Sequence, residues 1–430
     1  MLKWQRVLAG QAVIRFTCRM TFALRPKTPA GEKLYAAACQ IQPALLERAA
    51  SADLHNEMPA ASYQDLMDSG VAAAFVPAEL GGFGLQSVHD WIVGIVTLAQ
   101  GDPSAAIAIN MHLGVSRGMA LAYHQASNTP AKAAVATRLA LPLEQIAQGN
   151  MLICATATEP GTDNLHPRTE ATPCADGWQI HGHKIFVTMS PLATHLGMNL
   201  RMRDAEGDHL VTTMLPMDTP GLLPQGDWDA LGMRGSGSQS VKFDGAVVPA
   251  GAVRKLGPWG EWSVGVLMNR ALANLPLVGA FLGIAEAAHA MALEKLGSQT
   301  RVDAPVTGFS GVQNLVGEMD IELAKCRAIL TAAADAVDRF VTAHASEPPS
   351  LEAAHQLMKD YQAAKWVVNR GAIDIVSKAM DLMGGSGYTN QHPLARMYRD
   401  VRAGPFMQPF APTEAREYVG QVALGRLPTG

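Results

Sequence analysis

The chain has 430 residues, of which 48% are hydrophobic and 17% charged, with a formal net charge of -4. These values exclude a mainly disordered chain and are typical of a globular protein with substantial cores. No long basic run with interleaved aromatic residues is present, so we expect no nucleic-acid partner. We also expect no membrane span. The low charge and the many alanines predict that other subunits cover some faces.

The first 27 residues contain basic side chains and no acidic one, around apolar runs too short to span a bilayer. Two interpretations stay open: an import-like leader, or a translation start placed too early, with Met20 as the true beginning. We favour the second and assign residues 1–28 to this segment, without fixed structure. Five scattered cysteines without a Cys-x-x-Cys pair predict reduced thiols and a cytoplasmic location.

Residues 29–150 show helical periodicity and predict an N-terminal helical domain. Apolar side chains recur at three- and four-residue intervals from the start of this region, at Leu34, Ala37, Ala38, Ile41, Leu45 and Leu46. The glycines of Phe75-Val-Pro-Ala-Glu-Leu-Gly-Gly-Phe-Gly-Leu85 mark a sharp turn of the backbone. A second break, Gly101-Asp-Pro-Ser104, ends one helix and starts the next.

Residues 151–260 change to a β pattern and predict a central β domain. Asp176-Gly177 reads as a hairpin turn before a run rich in β-branched and aromatic residues. The expected strands are Trp178 to Thr188, Leu210 to Leu215 and Val241 to Pro249.

Residues 261–430 return to long helical segments, Leu272 to Lys295, Val312 to Val341 and Leu351 to Met383, which predict a helical bundle. The fold class is therefore mainly α with a central β domain. No strand followed by a Gly-x-Gly-x-x-Gly helix start and no Walker loop is present, so a nicotinamide-binding Rossmann domain is not expected.

Five ordered blocks carry a resemblance to a known family. They are Phe75 to Leu85, Thr158-Glu-Pro-Gly161, Phe186-Val-Thr188, Leu231-Gly-Met-Arg-Gly-Ser-Gly237 and Met383-Gly-Gly-Ser-Gly-Tyr388. Together they resemble the acyl-CoA dehydrogenase superfamily over roughly residues 30 to 426. The resemblance implies N-terminal helices, a middle β-barrel-like domain and a C-terminal four-helix bundle. It also implies FAD between the β domain and the bundle, in a homo-oligomer, either a tetramer or a dimer.

The candidate cofactor residues follow from these blocks. A flavin ring needs hydrogen-bond donors at its polar edge and an apolar wall. Thr158 and Thr188 would supply hydroxyl groups and Phe186 the wall, with Ala157 and Val187 as neighbours. The resemblance assigns Gly384 and Gly385 to the phosphate or adenosine end of FAD in a neighbouring subunit, and offers Arg301 and Gln313 for the same end. Candidate substrate contacts are Thr162, Arg234 and Ser236.

Gln408 occupies the decisive position. In the family, Arg-Asp is followed at a fixed distance by a Glu that removes the α-proton of the acyl thioester, and counting from Arg399-Asp400 leads to Gln408. An amide does not accept a proton at neutral pH, whereas a desolvated carboxylate can be tuned to do so. Glu414 is a substitute only if the loop after Met407 rearranges; its simpler role is a first-turn helix acid.

Three functions remain, in order of preference. The first is α,β-dehydrogenation of an acyl-CoA or other small molecule, with electron-transfer flavoprotein as the acceptor and a place in fatty acid metabolism. The second is a monooxygenase on the same fold, which takes reduced flavin from a reductase, activates oxygen and needs no α-proton base. The third is a non-catalytic member that binds acyl groups or flavin. Without a ligand spacing among the histidines, we expect no metal site.

Overall fold

The computed structural model describes residues 22–301 and 303–429 of the chain. Most of the predicted leader or misplaced start, residues 1–28, lies outside these ranges, but its last residues are ordered. The backbone amides of Lys27 and Thr28 donate to Asp90 at 2.8 and 3.0 Å, and the Thr28 hydroxyl accepts from Gly31 N to cap the first helix. Asp90 therefore anchors this end of the segment to the fold.

Among the described residues, five α-helices come first: α1 (Pro29–His55), α2 (Ala60–Asp68), α3 (Val88–Gly101), α4 (Pro103–Ser127) and α5 (Ala133–Ala147). The predicted apolar stripe of α1 faces the core, with Leu34 and Leu45 at most 1% exposed. At the break between α3 and α4, the Asp102 side chain accepts from Ser104 N at 2.9 Å, and Pro103 occupies the first turn of α4. This geometry explains why Gly101-Asp-Pro-Ser104 separates two helices.

A single large sheet follows, built from β1 (Ile153–Thr156), β2 (Glu170–Cys174), β3 (Gly177–Val187), β4 (His195–Asp204), β5 (Gly207–Pro216), β6 (Leu222–Pro224), β7 (Gln239–Val248) and β8 (Arg254–Pro258). The strand order is β6-β7-β3-β2-β4-β5-β8, and β1 pairs in parallel with β4. β2 and β3 form the predicted antiparallel hairpin at Asp176-Gly177. This topology places the end of β1 beside the end of β3.

The last region contains α6 (Val264–Gly297), a short hairpin of β9 (Thr300–Arg301) and β10 (Ala304–Pro305), α7 (Ser310–Ala343), α8 (Leu351–Met383), α9 (Pro393–Val401) and α10 (Pro412–Ala423). Helix α6 is long and apolar enough to cross a membrane, yet 83% of its most apolar stretch is buried inside the fold. Its composition is that of the core helix of a bundle, which packs against α3 and α8. The predicted fold class, helices, then strands, then helices, is confirmed.

Candidate active site at the sheet and bundle junction

The predicted flavin-contacting threonines lie on neighbouring segments at one edge of the sheet. A bridge pairs Ala155 with Thr188, and Ile185 N donates to Thr158 O at 3.0 Å. Thr188 Oγ1 lies 2.9 Å from Ser238 Oγ, which in turn lies 2.8 Å from Ser236 Oγ. This chain of hydroxyl groups fixes the Thr188 side chain. Ser236, a predicted substrate contact, is completely buried at the other end of this chain, separated from Thr188 by Ser238.

Phe186, at the same end of the sheet, has a backbone conformation that is unusual for a bulky residue. Its φ of 53° lies in the left-handed region that a bulky residue rarely adopts, and its side chain is 54% exposed. The ring meets Trp228 edge-on with centroids 6.1 Å apart. Backbone strain of this kind persists where the surroundings impose it, often at ligand sites. Val187 is buried in the core, and Ala157 is half-buried.

Gln408 is bound on both sides of its amide. Its Nε2 donates to Thr158 Oγ1 at 2.5 Å, and its Oε1 accepts from Asn164 Nδ2. The amide thereby joins the bundle to the loop that follows β1. Because Thr158 Oγ1 accepts this bond, the hydroxyl proton of Thr158 remains available to another acceptor. The Gln408 side chain therefore orients a predicted cofactor contact instead of accepting protons.

Side chains of α8 hold the backbone around Gln408, a segment we call the Gln408 segment (residues 404–410). Tyr361 Oη donates to Gln408 O at 2.6 Å, and Asn369 Nδ2 donates to Gly404 O at 2.7 Å. Between them, Lys365 Nζ donates to Met407 O and, at 2.6 Å, to Phe410 O. Burial lowers the pKa of Lys365 to about 7, and the nearby Glu414 opposes this shift. The four-residue spacing of these polar side chains on a largely buried helix was a signal that sequence reasoning missed.

A buried ion pair supports the Thr-Glu-Pro-Gly block from the sheet side. Lys184 Nζ lies 2.6 Å from Glu159 Oε1, and both side chains are almost fully buried. Glu159 also accepts from the backbone amides of Arg168 and Thr169, at 2.6 and 3.1 Å. Burial lowers the pKa of Lys184 to about 8 despite the opposing carboxylate. The pair locks the turn after Thr158 onto β3, the strand that leads to Phe186.

The other predicted substrate contacts have partners within the protein. Thr162 Oγ1 donates to His166 O at 2.6 Å. Arg234 Nε donates to Asp53 O at 2.8 Å, and its Nη1 lies 3.0 Å from Asp229. Glu414 accepts from Ala411 N at 2.9 Å in the first turn of α10, which is the capping role and not that of a base.

The residues predicted for the far end of the cofactor lie apart from this constellation. Gly384 and Gly385 begin a short 3-10 turn, and an added Cβ at either would meet no atom within 4 Å. Gln313 is exposed and donates to Thr307 O at 3.0 Å. Arg301 lies in β9, and its side chain is outside the described part of the structure. No hydrogen bond among the described residues joins Gly384, Gly385 or Gln313 to Thr158.

One group of possible metal ligands occurs among the described residues: Asp204, Glu206 and His209. Both carboxylates lie 2.7 Å from Lys255 Nζ, so a lysine ammonium already supplies the counter-charge. The group is at the far end of the β4–β5 hairpin and takes no part in the site described above.

Three family models match the chain in the order of its regions. They are the acyl-CoA dehydrogenase N-terminal domain over residues 36–129, the middle domain over 153–246 and the C-terminal domain over 272–408. The chain belongs to the acyl-CoA dehydrogenase family. The predicted membership is thus confirmed, and this family member is a flavin-dependent oxidoreductase.

The chain is similar to amino sugar nitrososynthases at 33–34% identity and, at a lower identity of 24–29%, to acyl-CoA dehydrogenases. The amino sugar nitrososynthase DnmZ of Streptomyces peucetius is 33% identical, with 93% of this chain and 95% of that protein covered. The structure of KijD3 in complex with FMN and dTDP-3-amino-2,3,6-trideoxy-4-keto-3-methyl-D-glucose is 31% identical, with a TM-score of 0.85 and coverage of 94% and 96%. Dibenzothiophene monooxygenase TdsC of Paenibacillus sp. A11-2 is 25% identical, with a TM-score of 0.77 and coverage of 93% and 98%.

The site fits a flavin on its own geometry. Two threonine hydroxyl groups are held at one sheet edge, one by Gln408 and the other by Ser238. The exposed ring of Phe186 lies on the same strand end. Donors and an apolar wall are what the polar edge and the face of an isoalloxazine require. The residues that would hold the ring therefore come from β1, β3 and the Gln408 segment.

Proposed function

We propose that this protein is a flavin-dependent monooxygenase that oxidises the amino group of a nucleotide-linked amino sugar. The observation that carries the proposal is the amide of Gln408 at the position of the family base, engaged by Thr158 and Asn164. An α,β-dehydrogenation begins with loss of an α-proton, for which an amide is no acceptor. Oxygenation of an amine has no such requirement. The second of the three sequence hypotheses is thus favoured over the first.

The relatives support the amine as the oxidised group. DnmZ is named an amino sugar nitrososynthase, and KijD3 binds FMN together with a dTDP-linked amino sugar. Each covers more than nine-tenths of this chain. For the same reason we propose FMN in place of the FAD expected from the family, and we propose no role in fatty acid metabolism. Reduced flavin would come from a separate reductase, and the active form would be a homo-oligomer.

The reaction balances without a base on the substrate carbon. The amine, one O2, two electrons and two protons give a hydroxylamine and water. A second O2 with two more electrons and protons converts the hydroxylamine to a nitroso group and two waters. A flavin bound here would supply the activated oxygen in both rounds. The chain would contribute positioning: Thr158 and Thr188 would direct hydroxyl groups at the ring, and Gln408 holds Thr158 in place while staying neutral at every working pH.

The test uses the full chain with FMN, a flavin reductase and NADH. We expect oxygen uptake and an oxidised nitrogen product, measured by mass spectrometry, with a dTDP-linked amino sugar. The matched control substrate is the same nucleotide sugar with a hydroxyl in place of the amine, and it should give only unproductive oxygen consumption. Reduction of a dye by acyl-CoA thioesters, without any nitrogen product from the amino sugar, would contradict the proposal and restore the dehydrogenase hypothesis.

A further inference from the structure

Arg270, in α6, is a buried cation without a carboxylate partner among the described residues. It is 6% exposed, and its Nε has no hydrogen-bond partner. Among the described residues, its side chain donates one hydrogen bond, from Nη2 to Asn164 O at 3.5 Å. Burial lowers the pKa of Arg270 to about 10. The side chain is therefore charged at neutral pH and largely unsatisfied.

Arg327 in α7 shows how this fold treats an arginine that serves structure. It is 3% exposed, and its Nε lies 2.7 Å from Glu286 Oε1 in the neighbouring helix α6. Gln100 donates to the other oxygen of Glu286 at 2.6 Å, so this carboxylate is engaged on both sides. Because an unpaired buried charge is expensive, proteins keep one mainly where a ligand supplies the opposite charge. Arg270 lacks the arrangement that Arg327 has.

The position of Arg270 connects it to the candidate active site. Asn164 accepts from Arg270 through its backbone carbonyl and donates from its side chain to Gln408 Oε1 and Pro409 O. The guanidinium is thus one residue removed from Gln408. Lys184 is a second buried cation of this region, and the charge of Arg270 helps to lower its pKa. With Glu159 as the carboxylate that pairs with Lys184, the surroundings of Arg270 keep a positive excess.

We propose that Arg270 binds a phosphate group of a nucleotide in the active site. A guanidinium presents its N–H groups in a planar fork that matches phosphate oxygens, and such charge-assisted hydrogen bonds are strong in a buried setting. The identity of the nucleotide rests on the proposed function, which brings two phosphate-bearing molecules to this site: the sugar nucleotide and FMN. Both share the chemistry that Arg270 recognises.

The experiment compares Arg270→Met with the matched control Arg327→Met in the full chain. Binding is measured for dTDP and thymidine on the flavin-loaded protein, and for FMN and riboflavin during reconstitution. In Arg270→Met we expect one phosphate-bearing molecule to lose affinity by roughly 10- to 100-fold, while its phosphate-free counterpart keeps its affinity. Loss confined to dTDP assigns Arg270 to the substrate, and loss confined to FMN assigns it to the cofactor.

Thermal unfolding without added nucleotide gives an independent readout. Replacing an unpaired buried charge by methionine should leave the Tm unchanged or raise it, whereas Arg327→Met strands Glu286 and should lower the Tm. A fall in Tm for Arg270→Met as large as that of Arg327→Met would show a structural role and overturn the proposal. Equal changes in affinity for each phosphate-bearing molecule and its counterpart would also overturn it. Failure of the wild type to oxygenate amino sugars, with Arg270-dependent dTDP binding intact, would refute the proposed function alone.

Discussion

Two glycine-containing segments flank α9 and differ in how the chain surrounds them. At the Gln408 segment, a Cβ on Gly404 would lie 2.8 Å from Asn369 Cγ and 3.0 Å from Phe281 Cγ. At the turn Gly384–Tyr388, a Cβ on Gly384 would meet nothing within 4 Å, and Tyr388 is 83% exposed. The first segment is held by its own subunit at Gly404 and Gln408, although Phe406 is 67% exposed. The second is open at Gly384 and Tyr388.

This difference shows which part of the site one chain completes alone. The polar edge of the flavin would meet Thr158, Thr188 and Gln408, which are fixed by hydrogen bonds within the subunit. The turn at Gly384 offers backbone and open space, and nothing in its own subunit closes over it. We therefore propose that a neighbouring subunit uses this turn, as the family resemblance implies. Changes at the packed segment should then affect stability and catalysis together, while changes at the open turn should affect assembly or cofactor retention.

The largest effect is expected from Lys365→Met at the packed segment. The variant leaves the carbonyl groups of Met407 and Phe410 without their donor in a buried setting. We expect the free energy of unfolding to fall by roughly 3–4 kcal/mol, and oxygenation to fall further because Gln408 loses its fixed position. Chemical denaturation and product formation measure the two effects.

Lys359→Met is the control for this prediction. Lys359 lies on the same helix, and its ammonium contacts only Gln356 and Asp360 in a half-exposed setting. Its loss should change the free energy of unfolding by less than about 0.5 kcal/mol. If the two variants cost the same, the hydrogen bonds from α8 do not hold the Gln408 segment.

A second expectation concerns His112, which joins α4 to the start of β1. Its Nε2 donates to Ala72 O at 2.9 Å and its Nδ1 accepts from Ile153 N at 3.1 Å, at the start of β1. This arrangement requires the neutral imidazole, and burial lowers the pKa of His112 to about 4. The unfolded chain, with a histidine pKa near 6.5, binds more protons between these values. Stability from this group is therefore complete above pH 6.5 and is lost as the pH falls toward 4.

The expected loss is about 2–3 kcal/mol between pH 6.5 and 4.5. It is measured as the difference in unfolding free energy between the wild type and His112→Gln across that interval. The exposed His55 provides a control site, where the same replacement, His55→Gln, is measured across the same interval. A wild type and a His112→Gln variant with parallel pH profiles would contradict the assigned tautomer.

The sequence predicted the fold from periodicity and the candidate site from five short blocks; the fold is confirmed, and the site residues stay a prediction. Apolar spacing reports burial, so α7, α8 and the strand from Trp178 were found nearly to their ends. Helix α6 begins at Val264, eight residues before the predicted Leu272. β4, from His195 to Asp204, was missed although apolar residues alternate along it, at Leu196, Met198, Leu200 and Met202, which is the period-two pattern of a half-buried strand. The contact of Gln408 with Asn164 joins residues far apart in the chain, and no local signal records it.

The smallest of these effects is expected from Gly384→Ala at the open turn. This variant tests whether a second subunit covers the turn in the assembled protein. Gly384 has φ 60° and ψ -152°, a conformation available essentially to glycine, so alanine should cost roughly 1–3 kcal/mol although the space is free. Gly385→Ala is the matched control, because Gly385 has open space and no positive φ. If a second subunit and the cofactor close over this turn, Gly384→Ala should also weaken flavin retention and oligomer formation, because the strained backbone is displaced from the contact. Flavin absorbance measures the retention, and gel filtration measures the oligomer. Loss of stability with normal assembly and full flavin content would mean that the turn is open in the functional protein as well. The turn and the Gln408 segment would then differ only in how closely their own subunit packs around them.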